Sequence, residues 1–237
     1  MTAIGKSLAI VSGASRGIGR AIALRLAQDG AYLVLLGRDQ KNLEQVQAEI
    51  QAAGSQADTY PCDLLDSTAI EAFGAEVHRK FGHCDVLVNC AGIGRMGKPL
   101  HESDVADFDA MIATNLRGPF LLTKAIAPLM IQQRSGHIVN ISSLSGKNPL
   151  PNGAGYAASK WGLHGLTYSV AEELREYGIR VSVVAPGSVA TDFSGGRSSK
   201  SPEKKLSPED VAHVVSMLVG EGSRSFVSEV SIRPIQK

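Results

Sequence analysis

Tyr156 and Lys160 stand four residues apart in Tyr156-Ala157-Ala158-Ser159-Lys160, and Ser143 lies 13 residues before the tyrosine. On a helix, positions i and i+4 share a face, so this spacing sets an ammonium beside a phenol. A fixed positive charge stabilises phenolate and eases loss of the phenol proton. The free phenol titrates at ~10, and lowering that value tenfold in proton affinity needs ~1.4 kcal/mol of differential interaction. Reaching neutrality takes roughly 4 kcal/mol, which one close cation and a second nearby charge can supply. The pair reads as a proton donor and acceptor poised near cellular pH. A bare Tyr-x-x-x-Lys is also an ordinary surface pair, so the rest of the chain must decide its meaning.

The elements that would carry these groups alternate regularly. Apolar, β-branched runs predict strands at Leu8–Ser12, Tyr32–Leu36, Ala57–Cys62, Val86–Asn89, His137–Ile141, Arg180–Ala185 and Phe226–Ile232. Helical periodicity falls between them, at Gly17–Asp29, Gln40–Ala53, Ser67–Phe81, Asp104–Gln133, Ala154–Tyr177 and Ser207–Gly220. Little alternation within the runs suits strands covered on both faces. The expected fold is α/β, a doubly wound parallel sheet of about seven strands with helices on both faces, in one domain over 1–237. The Asp104–Gln133 pattern is too long for one helix, and Gly118-Pro119 is the expected break. Residues 187–206 are rich in Ser, Gly, Lys and Pro and are expected to form a mobile loop over the site.

Between the first strand and first helix lies Ser12-Gly13-Ala14-Ser15-Arg16-Gly17-Ile18-Gly19. Glycines there let backbone amides approach a pyrophosphate at a helix N-terminus, as in Rossmann-type folds. Arg16 opposes the helix dipole, a cost that an anionic ligand would offset. At the end of the second strand, Gly37 leaves space and Arg38 offers a planar fork of donors for phosphate. Two arginines for one extra phosphate favour NADP(H) over NAD(H). Asp39 remains open: it either caps the second helix or binds ribose, and the second role would weaken that preference.

Formal net charge is +1, from 24 basic and 23 acidic residues, and aromatics are 5%. This balance carries no footprint for nucleic acid, duplex or single-stranded. Three cysteines, Cys62, Cys84 and Cys90, form no CxxC pair and read as core residues in a reducing compartment. The start of the chain does not read as a signal peptide, and no run reaches the roughly 20 apolar residues that span a bilayer. The expected location is cytoplasmic. The 6 histidines are scattered without ligand spacing, so no metal is expected.

With the glycine loop, Cys62-Asp63-Leu64, Asn89-Cys90-Ala91-Gly92, Asn115, the Ser143/Tyr156/Lys160 set, and Pro186-Gly187 followed by Val189 and Thr191, the chain resembles the short-chain dehydrogenase/reductase family. The resemblance covers nearly the whole length. It implies that Asp63 and Leu64 hold the adenine edge, and that Asn89, Ala91 and Gly92 border the cofactor ribose. It implies that Ser143 orients a substrate carbonyl and that Tyr156 protonates it. Lys160 would bind ribose hydroxyls and lower the Tyr156 pKa, and Asn115 would hold a water linking Lys160 to solvent. Pro186, Gly187, Val189 and Thr191 would contact the nicotinamide end. Cys90 departs from the family's frequent Asn. Helices near Asp104–Gln133 and Ala154–Tyr177 commonly join subunits in this family, which implies a homodimer or homotetramer.

The implied enzyme reduces a carbonyl to an alcohol, reversibly, with NADPH. Ser142, Leu144 and Phe193 join Ser143 and Tyr156 as candidate substrate-lining residues, apolar with few charges. A neutral ketone, aldehyde or acyl thioester fits them. The general look is that of 3-oxoacyl-carrier-protein reductases, but Pro128 and Glu172 stand where basic docking residues are expected. The ending around Ile232-Arg233-Pro234 also lacks Val-Asp-Gly-Gly. The competing reading from another class is an idle NADP(H)-binding regulator.

Overall fold

A computed structural model describes residues 7–191, 193, 202–222 and 224–236. Its strands are β1 (Leu8–Ser12), β2 (Tyr32–Gly37), β3 (Ala57–Pro61), β4 (Val86–Asn89), β5 (Gly136–Ile141), β6 (Ile179–Pro186) and β7 (Glu229–Ile232). They form one parallel sheet in the order β3-β2-β1-β4-β5-β6-β7. β1, β4 and β5 are buried along their whole length, and β1 and β4 are accordingly apolar without alternation up to their last residue. Ala9 and Val11 face a core built with α1 (Gly17–Gln28), α2 (Gln40–Ala52) and α7 (Pro208–Val219). Leu8 and Ile10 face the other core, built with α3 (Ser67–Phe81), α5 (Gly118–Gln133) and α6 (Ala154–Arg175). This is the doubly wound Rossmann-type arrangement. Its order reverses between β1 and β4, which opens a crevice at their C-terminal ends.

Several boundaries differ from the sequence expectation for local reasons. β7 begins at Glu229, because the Val227 N–H is taken by the Glu221 carboxylate instead of the sheet. Gly118-Pro119 does not break the long helical pattern. α4 (Val105–Ile112) passes through a π-turn, Ala113–Arg117, straight into α5. Gly118 keeps right-handed dihedrals and its N–H reaches back to the Ala113 carbonyl. Pro119 has no N–H for the carbonyl of Asn115, and the chain absorbs the missing bond by widening the turn ahead of it.

Of the expected loop at 187–206, residue 192 and residues 194–201 lie outside the described residues, and with them the expectation of mobility. Its stem is tied by a parallel bridge between Val189 and Leu206. Ala190 N donates to Leu206 O at 2.8 Å and Leu206 N to Ser188 O at 2.9 Å. Among the described residues, no helix is long and apolar enough to cross a membrane.

Candidate active site

α6 brings the reactive pair together. Tyr156 and Lys160 share one face of the helix and are both buried. The Lys160 ammonium lies 5.9 Å from the Tyr156 ring centroid and donates to the Ile141 carbonyl at 3.0 Å. Ser143, just past β5, stands near enough to the Tyr156 hydroxyl to lower its pKa. Its Oγ also accepts from Ser145 N at 3.1 Å, which caps the short 3-10 turn Leu144–Gly146. Phe193 meets Tyr156 edge-on, ring centroids 5.9 Å apart.

The electrostatics run opposite to the expectation from spacing. Burial raises the Tyr156 pKa above its ordinary value, with the Ser143 hydrogen bond opposing. Burial instead lowers Lys160, from its ordinary 10.5 to about 8. The ammonium is turned to a backbone carbonyl and not to the phenolic oxygen, so desolvation decides both shifts.

Asn115 sits in the π-turn and is fully buried. Its Oδ1 accepts from Ile93 N at 2.8 Å, while its Nδ2 donates to Ile93 O at 2.9 Å and Ser159 Oγ at 3.0 Å. Ser159 in turn donates to the Tyr156 carbonyl at 2.7 Å. Asn115 thus fastens the segment after β4 to the helix that carries the pair. Ser142 points elsewhere, its Oγ toward the Lys160 carbonyl at 3.4 Å, which leaves Ser143 as the serine facing Tyr156.

The glycine loop lies across the crevice from this pair. A Cβ on Gly13, whose φ is +69, would stand 2.8 Å from the Ala91 backbone, and one on Gly19 would overlap the Gly13 carbonyl. Only glycine lets β1, α1 and the segment after β4 meet this closely. Ser12 completes the junction, its Oγ accepting from Cys90 N at 3.1 Å and Ala91 N at 3.3 Å. Sequence reading passed over Ser12 and Ser159. Their positions, at the end of a strand beside the loop and one residue before Lys160, were the available signal.

This junction fits an anionic dinucleotide. Arg16 precedes α1 without a side-chain cap, and the first turn holds no acid, so the amides at that end have no anionic partner of their own. Ser15 and Ile18 flank it, with Ile18 packed on the core. Ala14 N donates to Leu36 O at 3.2 Å, bringing the end of β2, with Gly37 and Arg38, beside the loop. Arg16 and Arg38 are exposed, and Asp39 is committed elsewhere: it caps α2 by accepting from Asn42 N at 3.1 Å and Asn42 Nδ2 at 2.6 Å.

The other candidates divide. Leu64 is buried, and exposed Asp63 folds onto Leu65 N at 3.1 Å. Gly92 faces the pair: a Cβ there would stand 3.2 Å from Asn115 Oδ1 and 3.7 Å from Lys160 Nζ. Thr191 lies beside Gly17, and Pro186-Gly187 leads off β6 against Ile232. Leu144 and Pro234 bracket Gly187. Asn89 has a structural role of its own. Its side chain is buried and donates to Asn140 at 2.8 Å and Thr123 at 3.2 Å, so it joins β4 to β5 and α5. Asn140 passes the chain on to Thr167 at 2.9 Å.

Comparison with known proteins agrees with this geometry. Residues 7–202 match the family model described as short chain dehydrogenase. An uncharacterized oxidoreductase of Staphylococcus saprophyticus is 36% identical, covering 99% of this chain and 100% of its own. A metagenomic short-chain oxidoreductase solved in complex with NADP is 49% identical, with TM-score 0.87 and 100% of both chains covered. An alcohol dehydrogenase of Thermococcus sibiricus, complexed with 5-hydroxy-NADP, is 32% identical, with TM-score 0.92 and 98% of both chains covered. The chain belongs to the short-chain dehydrogenase/reductase family of oxidoreductases.

Proposed function

We propose that this oxidoreductase uses NADP(H) to interconvert a neutral carbonyl and its alcohol, with Tyr156 as the general acid and base. The observation that carries the reading is the buried Tyr156 hydroxyl, with Ser143 close enough to act on its pKa, one turn from buried Lys160. When bound, the cofactor supplies hydride to the carbonyl carbon. Ser143 and Tyr156 offer two hydroxyl donors to one oxygen, which orients a carbonyl between them. As the oxygen gains charge, Tyr156 gives it a proton, and the reverse reaction takes that proton back. Lys160 supplies the positive charge that stabilises the resulting phenolate. The Asn115 carbonyl, to which Pro119 can offer no N–H, would hold a water that returns the proton from solvent.

The preference for NADP(H) rests on Arg16 and Arg38 at the glycine loop and on Asp39 being taken up as a cap. Both named solved relatives hold an NADP-type ligand. The apolar surround of Phe193, Leu144 and Pro234 favours an uncharged substrate. Exposed Val105, Phe108, Phe120 and Trp161, on the adjacent helices α4, α5 and α6, suit a surface covered by a second copy.

The test is Tyr156→Phe. NADPH affinity, read by fluorescence titration, should stay within about twofold while ketone reduction falls by about 10²–10⁴-fold, the usual share of general acid–base catalysis. Unchanged turnover would overturn the mechanism. Arg38→Asp should move preference toward NADH, and a parent enzyme using both cofactors equally would contradict the arginine reading.

A further inference from the structure

The reactive face of α6 does not end at Lys160: Tyr156, Lys160, His164 and Tyr168 recur every fourth residue. Tyr168 Oη donates to Glu229 Oε2 at 2.6 Å, and Glu229 Oε1 is ion-paired with Lys147. Tyr168 has one proton and gives it to a carboxylate that can only accept. Its oxygen therefore accepts from His164 Nδ1, 3.2 Å away, which fixes the imidazole as the Nδ1–H tautomer. The opposite edge of that ring is buried, and its Nε2 has no hydrogen-bond partner among the described residues. It lies flat against the Leu144–Gly146 turn: a Cβ on Gly146 would stand 2.7 Å from His164 Cδ2 and 2.8 Å from Nε2.

Ser143 opens that turn and Lys147 follows it. One carboxylate on the edge strand β7 therefore reaches the turn twice, at its end through Lys147 and at its back wall through Tyr168 and His164. We propose that Glu229 is a positioning residue for Ser143: it holds the Leu144–Gly146 turn so that the serine hydroxyl keeps its place beside Tyr156. The proposal rests on the roles given above to Ser143 and Tyr156. It gives β7 a part in the reaction although it contributes no group that touches substrate. The carboxylate suits the task. Burial works to raise its pKa, but the bonds from Lys147 and Tyr168 outweigh burial and keep it ionised.

Glu229→Gln keeps the acceptor for Tyr168 and removes the ion pair. Lys147→Met breaks the same pair from the exposed side, away from the core. Each should lower kcat for ketone reduction about tenfold, since small misplacements of a catalytic group cost factors of this order. KM and NADPH affinity should stay within about twofold. The charge-reversed pair Lys147→Glu with Glu229→Lys should recover only the part carried by the ion pair, because a lysine at 229 cannot accept from Tyr168. Hydrogen exchange, which needs no activity, should quicken in both single variants over residues 143–147, where the Ser145 amide is bonded to Ser143 Oγ. Unaltered exchange there overturns the proposal, and so does wild-type kcat in both variants. A parallel loss of kcat, cofactor affinity and thermal stability also overturns it, as damage to the whole fold. Quickened exchange in a protein that reduces no carbonyl would keep the clamp and sink the assigned reaction.

Discussion

A phenol that keeps its proton is a ready acid, and burial leaves Tyr156 in that state. Carbonyl reduction consumes the protonated form, whereas alcohol oxidation needs phenolate. The raised pKa therefore predicts reduction that holds steady through neutral pH, and oxidation that climbs into the alkaline range. Initial rates in both directions from pH 6 to 10 check this, and oxidation with an optimum below 7 would contradict it. Lys160 gives a second, independent signature. Its folded pKa of about 8 lies below the ordinary 10.5, so the folded chain sheds this proton before the unfolded chain does. The cost of burying the ammonium is fully present below about 8 and is lifted as pH rises toward 10.5. Without cofactor, Lys160→Met should thus be more stable than the parent at pH 7, with the difference shrinking by pH 10. Urea midpoints at the two pH values measure it.

At the scale of elements, the alternation of strands and helices was readable because strands buried on both faces admit few polar residues, as β1 and β4 illustrate. The reactive pair was readable because helical spacing alone puts Tyr156 and Lys160 on one face. The direction of their pKa shifts was not, since spacing does not say that Lys160 turns to the Ile141 carbonyl. The bond from Asn89 to Asn140 was not readable for a related reason: the two stand opposite each other only in the register of β4 against β5. Asp39 stood between two roles that only the cap on α2 separates. That assignment predicts that Asp39→Ala loses about 1 kcal/mol of stability, the usual cost of a lost cap, while the NADPH-to-NADH preference stays put. A shift in preference would return Asp39 to the cofactor. The π-turn makes a sharper case. Asn115→Ala would strip the Ile93 N–H and carbonyl of their side-chain partners. With about 1–3 kcal/mol for each buried group left unmade, the melting temperature should fall by several degrees.

For the whole molecule, the exposed aromatics on α4, α5 and α6 bear on assembly more than on folding. Phe120→Glu with Trp161→Glu should leave the circular dichroism unchanged and shift sedimentation from a multimer to the monomer. A parent that already sediments as a monomer would remove the basis for a second copy. The bridge between Val189 and Leu206 has a consequence for how such an enzyme can diversify. The two ends of the intervening stretch are tied to each other, so the stem closes through its own backbone bonds. Each doubling of a flexible loop adds only about 0.6 kcal/mol of closure entropy. Changes of length past Thr191 and Phe193, which stand against Gly17 and Tyr156, should therefore cost little in closure. In evolutionary terms the stem is a socket, a closed pair of ends that admits segments of different length.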